Sequence, residues 1–307
     1  MPPPRRILCI GHSALDRIYR IDKFPPEPNK VRALEHVEAG GGMAANAAVA
    51  IARLGGRAEL WSRIGDDVAG QTIKAGLKAE RVDVRYVQAF EGARSSTSAI
   101  IVDDRGERLI VGQRDAGMPS STYWLPLERI RDQHVVLGDV RWLEGTRAAF
   151  TEARAQGVPT VLDADVGARE ALPDVLALTD YAIFSTPALR EFAGLAPDAA
   201  DFSGALDRVL DLGVLHAGAT LGENGYLWRE RSAVGARVSG SVPGYTVDVI
   251  DTTGAGDAFH GAFAVMLAEG AAIRKCAEVA AEVAARKCTR LGSRAGLPRR
   301  NEVDALQ

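Results

Sequence analysis

The chain predicts an α/β fold of three layers, a central, mostly parallel sheet flanked by helices, with a small β-sheet lid set apart from it. Three observations carry this reading. From residue 135 onward, short apolar strands alternate with amphipathic helical stretches, the pattern of a parallel sheet covered on both faces. Nearer the N-terminus, residues 17–24 and 31–37 read as half-exposed strands with no helix between them, which a βαβ core does not accommodate. Towards the C-terminus, residues 247–269 read as a strand, a glycine turn and a helix start.

The totals fit that architecture. A chain of 307 residues, 47% hydrophobic and 25% charged, has the composition of a globular protein and can bury one sizeable core. One domain over 1–307 is expected, its lid formed by segments at about 16–38 and 95–112. A net charge of −3 offers no basic surface for nucleic acid or membrane, so small molecules are the expected partners. Cys9, Cys276 and Cys288 are far apart and odd in number, which fits a reducing compartment better than a disulfide or zinc framework. The histidines lack metal-ligand spacing. Neither a leader-like segment nor a bilayer-length apolar run is present, so the cytoplasm is the expected location.

Residues 7–10 form a buried strand ending at Gly11, and polar groups follow at its carboxyl end, where ligands of open α/β sheets gather. Asp16 there suits a sugar, because a carboxylate accepts two vicinal hydroxyl donors at once; a solvated loop aspartate is the alternative. Gly40-Gly41-Gly42 opens an alanine-rich helix that runs to Leu54 and stops at Gly55-Gly56. Gly41 and Gly42 let a ligand approach the backbone, and Asn46 offers a donor and an acceptor, although tight helix packing wants the same small residues. A strand at 58–64 and a helix through Leu77 come next. Residues 95–102 and 108–111 then make a hairpin around Asp103-Asp104-Arg105-Gly106, completing a four-strand lid that would exclude water from a substrate.

The α/β units after Gln133 are strands at 135–137, 160–162, 181–184 and 215–220, with helices at about 146–156, 168–177, 188–192 and 205–212. Thr220-Leu-Gly222-Glu-Asn-Gly225 is a glycine-bounded turn before Tyr226, equally consistent with a plain β-turn. The stretch VDVIDTTGAGDAFHGAFAVMLAE at 247–269 holds the chemistry. Gly254, Ala255 and Gly256 present N–H groups at the positive end of a helix dipole, which suits a phosphate. Asp257 beside them is what a kinase requires, a carboxylate to accept a hydroxyl proton next to fixed dipoles. A helix cap uses the same residue type, and a dinucleotide site shares G-x-G, although the third glycine comes too late for G-x-G-x-x-G. The helix at 273–287 follows, and its Ala281, Ala284 and Ala285 leave room for a flat adenine or for a closely packed helix.

DTTGAGDAFHGAF resembles the C-terminal signature of the PfkB, or ribokinase-like, family of sugar and nucleoside kinases. AGGGMAANAAVA resembles the family's N-terminal signature, and RIGDDVAGQ and the turn at 220–225 are similar to further family segments, so the likeness spans essentially the whole chain. It implies a ribokinase-like sandwich and an ATP-dependent kinase acting with Mg²⁺ on a primary hydroxyl. Asp257 would be the base, with Gly254, Ala255 and Gly256 as its anion nest. Asp16, Gly41, Gly42 and Asn46 would hold the sugar, and Thr220, Gly222, Gly225 and Ala284 the nucleotide. Asp251, Thr253 and Ser293 fall where relatives hold a monovalent cation such as K⁺.

Two departures qualify the likeness. The family's N-x-x-E pattern, which organises Mg²⁺, is replaced by Ser185 and Ala188 at its first and last positions. Within the family the chain is most similar to the kinases of 6-deoxy-6-sulfofructose, on LDRIY at 15–19, VVLGDVRW at 135–142 and the segments KCTR and RAG near the end. That likeness implies phosphorylation to the 1-phosphate, with Lys30 and Arg141 supplying cations for the sulfonate; a salt bridge of Arg141 to Asp139 or Asp165 is the alternative. Gly112 stands where the lid would offer the sulfonate a polar side chain. Ribokinase, fructokinase, nucleoside kinase and sugar-phosphate kinase activities stay open, as does a non-catalytic sugar-binding regulator. The exposed lid edges suit a homodimer.

Overall fold

Four consecutive apolar residues covered on both faces make a central strand, and Ile7, Leu8, Cys9 and Ile10 are fully buried. The computed structural model, which describes residues 4–232 and 235–306, builds them into β1 (Arg6–Gly11). Then come β2 (Ala14–Arg20), β3 (Glu35–Gly41), α1 (Met43–Arg53), β4 (Arg57–Gly65), α2 (Val68–Ala79), β5 (Val87–Phe90), β6 (Ser96–Val102) and β7 (Arg108–Gln113). The second half runs β8 (Val135–Asp139), α3 (Leu143–Gln156), β9 (Thr160–Ala164), α4 (Leu172–Leu176), β10 (Tyr181–Ser185), α5 (Thr186–Ala193) and α6 (Ser203–Asp211). It closes with β11 (His216–Thr220), β12 (Tyr226–Arg231), β13 (Arg237–Val242), α7 (Ala255–Ala268) and α8 (Ile273–Lys287).

The large sheet has the order β13-β12-β11-β10-β9-β8-β1-β4-β5. Its strands pair in parallel from β11 to β5, and β12 and β13 add an antiparallel edge. The small sheet has the order β3-β2-β6-β7, its outer pairs antiparallel and β2 parallel to β6. This is the predicted architecture of three layers, a mostly parallel sheet flanked by helices with a small separate sheet beside it.

One core lies among α1, α7, α8 and the sheet and is rich in alanine. At Gly261 an added Cβ would lie 2.7 Å from the Ala47 carbonyl, so small residues let α7 cross α1 closely. The other face is packed with larger side chains, including Phe150, Phe184 and Leu206.

Several boundaries differ from the sequence reading. The two lid strands start and end later or earlier than expected, so Asp16 lies inside β2 and Gly41 ends β3. Residues 247–250 are not a strand. The N–H groups of Ile250 and Asp251 both bond the Cys288 carbonyl, at 2.8 and 3.1 Å, so the end of α8 takes donors that a sheet neighbour would need. Strands β5 and β13 escaped the sequence reading; β13 is largely exposed and carries little apolar alternation. Helix α4 is shorter than predicted.

Candidate active site

The first turn of α7 forms the floor of a cleft of about 800 Å³ at the carboxyl ends of the central strands. Gly254 caps α7 with φ 79°, a left-handed conformation that glycine adopts without strain. The N–H groups of Gly254 and Gly256 have no partner among the described residues, whereas that of Ala255 turns back to the Thr252 carbonyl at 3.2 Å. The nest is therefore built from fewer free donors than predicted, and Ala255 does not stand among them.

Asp257 is the third residue of α7 and does not cap it. Its Oδ2 instead accepts the Asn46 side-chain amide at 2.8 Å, across from α1. Burial first, and the neighbouring Asp163 carboxylate second, push its pKa up to about 7, while the Asn46 donor pulls it down. A group held there exchanges a proton near neutrality. Activity that needs the ionised carboxylate is expected to rise with pH on a limb centred near 7, because below that value Asp257 is protonated. Asn46→Ala removes the donor and should move this limb to higher pH; a limb unchanged in position would detach it from Asp257.

The opposite wall belongs to the lid junction. Gly40, Gly41 and Gly42 each yield space to a different group. A Cβ would lie 2.0 Å from the Arg294 guanidinium at Gly40, 2.1 Å from the Asp16 carboxylate at Gly41, and 2.5 Å from the His12 carbonyl at Gly42. Asp16 is 5% exposed, and its burial raises its pKa to about 6 against the lowering effect of the Ser98 hydroxyl and Arg294. Arg294 donates to the Asn46 side-chain oxygen at 2.8 Å and to the Gly41 carbonyl at 3.2 Å. Arg294, Asn46 and Asp257 thus form one hydrogen-bonded chain. The sequence reading missed Arg294; its place in the tail GSRAGLP carries no signal of a partner some 250 residues away.

Thr220, Gly222, Gly225 and Ala284 all line the cleft beyond the nest, with Ala281 and Ala285 beside Ala284. Gly225 has φ 88°, and its missing side chain admits the Val242 carbonyl, which a Cβ would meet at 2.2 Å. Lid strand β7 reaches over this cleft with Arg108 and Ile110, and Arg108 hydrogen-bonds the Thr252 hydroxyl.

Asp163 and Asp165 enter the same cleft from the end of β9, and the sequence reading gave neither a site role. Asp163 Oδ2 is buried without a hydrogen-bond partner, and burial with the nearby Asp165 holds its pKa well above the ordinary carboxylate range. Ser185, in the first N-x-x-E position, donates to Asp165 at 3.0 Å. His260 places Nδ1 2.7 Å from the Gly256 carbonyl and Nε2 3.1 Å from that of Ile183, tying α7 to β10. Among the described residues no group of three His, Cys, Asp or Glu side chains converges to hold a metal alone.

The cations predicted for a sulfonate are placed otherwise. The Arg141 guanidinium donates to Asp165 at 2.5 Å and to the Val166 carbonyl at 2.6 Å, so the salt-bridge alternative describes it. Asp139 takes the backbone N–H groups of Arg141, His12 and Ala44 rather than the guanidinium. Lys30 is exposed in the loop between β2 and β3 and does not line the cleft.

Asp251, Thr253 and Ser293 do come together beneath the nest. The Asp251 carboxylate accepts the N–H of Thr253 on Oδ1 and of Gly292 on Oδ2, both at 2.8 Å. Ser293 donates its hydroxyl to the Gly40 carbonyl at 2.7 Å.

Residues 4–300 match the profile described as pfkB family carbohydrate kinase. The chain belongs to this family. The kinase is 30% identical to the ribokinase of Bacillus subtilis over 306 residues, covering 98% of this chain and 99% of that one. It is also 30% identical to an ATP-dependent ribose-1-phosphate kinase of Halopiger xanaduensis, over 86% of each. A crystal structure of an Agrobacterium tumefaciens protein, provisionally named a ribokinase, superposes with a TM-score of 0.91 at 35% identity, over 97% of this chain and 96% of that one. The kinase is a phosphotransferase with an alcohol group as acceptor. Among its described residues no helix is long and apolar enough to cross a membrane.

Proposed function

We propose that this kinase transfers the γ-phosphate of ATP to a primary hydroxyl of a neutral sugar of the ribose or fructose class. The observation that carries the reading is Asp257, held by Asn46 at the mouth of a helix-start nest with a pKa raised to about 7. The sugar lies between lid and sheet, its hydroxyls donating to Asp16 beside the Gly41 and Gly42 backbone. Asp257 accepts the proton as the hydroxyl oxygen attacks the γ-phosphorus in line, the bond from that phosphorus to the β–γ bridging oxygen breaks and ADP leaves, and the free N–H groups of Gly254 and Gly256 meet the charge that develops. Adenine fits against Ala281, Ala284 and Ala285, and the ribose and phosphates against Thr220, Gly222 and Gly225.

Mg²⁺ bound to the triphosphate supplies charge neutralisation in such a transfer. Asp163 Oδ2 accepts no hydrogen bond, although His260 Nδ1 is 3.4 Å away, and with Asp165 beside it this supports these two carboxylates as the partners of the ion's water shell in place of N-x-x-E. The likeness to the Bacillus subtilis ribokinase, which runs over nearly the whole of both chains at 30% identity, supports the neutral-sugar assignment.

A second reading, a phosphorylated or sulfonated sugar, has an observation of the site and a relative in its favour. His12 lies close enough to Arg114, Arg141 and Arg63 that they, after burial, drive its pKa down to about 3, and its Nε2 is buried without a partner. That concentration of positive charge suits an anionic tail, as does the relative named for ribose 1-phosphate. Turnover of ribose, fructose, adenosine, ribose 1-phosphate, fructose 6-phosphate and 6-deoxy-6-sulfofructose separates the readings. A neutral sugar should lead, with kcat/KM changed less than about threefold in Arg114→Ala. Preference for an anionic sugar, lost about tenfold or more in that variant, replaces the first reading with the second.

A further inference from the structure

The floor of the nest does not fit the monovalent cation that family resemblance implies. Such an ion needs a shell of oxygens free to replace its water. Here each Asp251 carboxylate oxygen already accepts a backbone N–H group and Ser293 has turned its hydroxyl to the Gly40 carbonyl, so that of the three side chains the Thr253 hydroxyl is the one left buried without a partner, too few free oxygens for a shell. The third oxygen of Asp251, its carbonyl, accepts the ammonium of Lys287 at 2.7 Å, and the same Nζ lies 4.0 Å from Asp251 Oδ2. Lys287 is completely buried, and so is Asp251.

We propose that the Lys287 ammonium is a tethered substitute for the monovalent cation, so that nucleotide binding and turnover in this kinase do not depend on K⁺. An ammonium is a compact single positive charge carrying only donors, so it can face the same carbonyl and carboxylate oxygens that would hold the ion. The backbone keeps it in place from two sides. Lys287 ends α8, and the next carbonyl, of Cys288, accepts the N–H groups of Ile250 and Asp251. On the other side the tail crosses at Gly296, where a Cβ would lie 2.2 Å from the Lys287 carbonyl. From Asp251 the chain runs only through Thr252 and Thr253 to Gly254 and the free N–H groups. A fixed charge under Asp251 therefore orders the turn that presents them, without an ion that can dissociate. Lys287 acts through this turn and is a positioning residue.

The inference is independent of which sugar is used, because its tests need none. ADP affinity is measured by calorimetry in KCl and in choline chloride at equal ionic strength, and wild-type crystals are soaked in RbCl. Wild-type affinities should agree within about twofold, with no Rb⁺ density beside Asp251. Lys287→Ala should bind ADP about tenfold or more weakly in choline and recover in KCl. Stimulation of wild-type binding by K⁺ beyond about fivefold, or Rb⁺ beside Asp251, overturns the proposal. So does a folded Lys287→Ala protein, verified by circular dichroism, whose loss KCl does not restore. If that variant does not fold, the wild-type salt comparison and the Rb⁺ soak decide alone.

Discussion

Asp257→Asn should lower turnover about 100-fold or more while leaving the sugar KM nearly unchanged. The substitution keeps the size of the side chain and an oxygen for Asn46 to donate to, so the local geometry is preserved. What it removes is the capacity to take a proton from the attacking hydroxyl. The stability effect has the opposite sign. The pKa of Asp257 is raised to about 7 in the folded protein, so above that pH the fold carries an ionised group it disfavours relative to the unfolded chain. A neutral asparagine removes that cost, along with repulsion from Asp163. The melting temperature of Asp257→Asn at alkaline pH should accordingly match or exceed that of the wild type. Steady-state kinetics and a thermal melt on the same preparation check both statements. Turnover within about tenfold of wild type would remove Asp257 from the role of base.

Gly41→Ala should reduce kcat/KM for the sugar by about 100-fold with ADP affinity unchanged. A methyl group there would lie 2.1 Å from Asp16 Oδ2 and 2.4 Å from its Cγ, well inside contact distance. Asp16 has little freedom to give way, since it is 5% exposed, in the middle of a paired strand, with Ser98 and Arg294 around its carboxylate. The methyl therefore displaces the group proposed to fix the sugar hydroxyls, and a shift of about 1 Å suffices to spoil an in-line geometry. The half of the cleft proposed for the nucleotide, at Thr220, Gly225 and Ala284, lies on other elements and should not respond. Calorimetry with ADP beside sugar saturation curves tests this. A variant with normal sugar kinetics would show that Asp16 does not hold the sugar.

The two signature stretches illustrate what a sequence carries well. Gly254 and Gly41 stand out because backbone conformation and close approach demand glycine, and that demand is local. Asp257 is legible for the same reason, as a carboxylate one turn into a helix behind a glycine nest. Residues 247–250 show a different limit, for their pattern is that of a strand and their structure is not. Val247, Val249 and Ile250 alternate as a strand would, yet alternation does not say whether a sheet edge is available, and here the Cys288 carbonyl takes the donors. Arg141 shows the limit at the level of a side chain. Its position after β8 was predicted, and its engagement by Asp165 was one of two readings that only the packing of β9 beside β8 resolved.

Local demands set most of the strands and helices, the small-residue helices and the glycine turn with its carboxylate, and these are legible in the chain alone, whereas the short β5 and the exposed β13 are not. Only tertiary structure joined Arg294 to Asn46 and Asn46 to Asp257, brought Asp163 and Asp165 into the cleft beside the first turn of α7, and set the Lys287 ammonium under Asp251. Such partners are separated by tens to hundreds of positions, and no periodicity links them. Their pairing is enforced by burial, because a charge or amide taken out of water must find its counterpart in whichever element the fold lays against it.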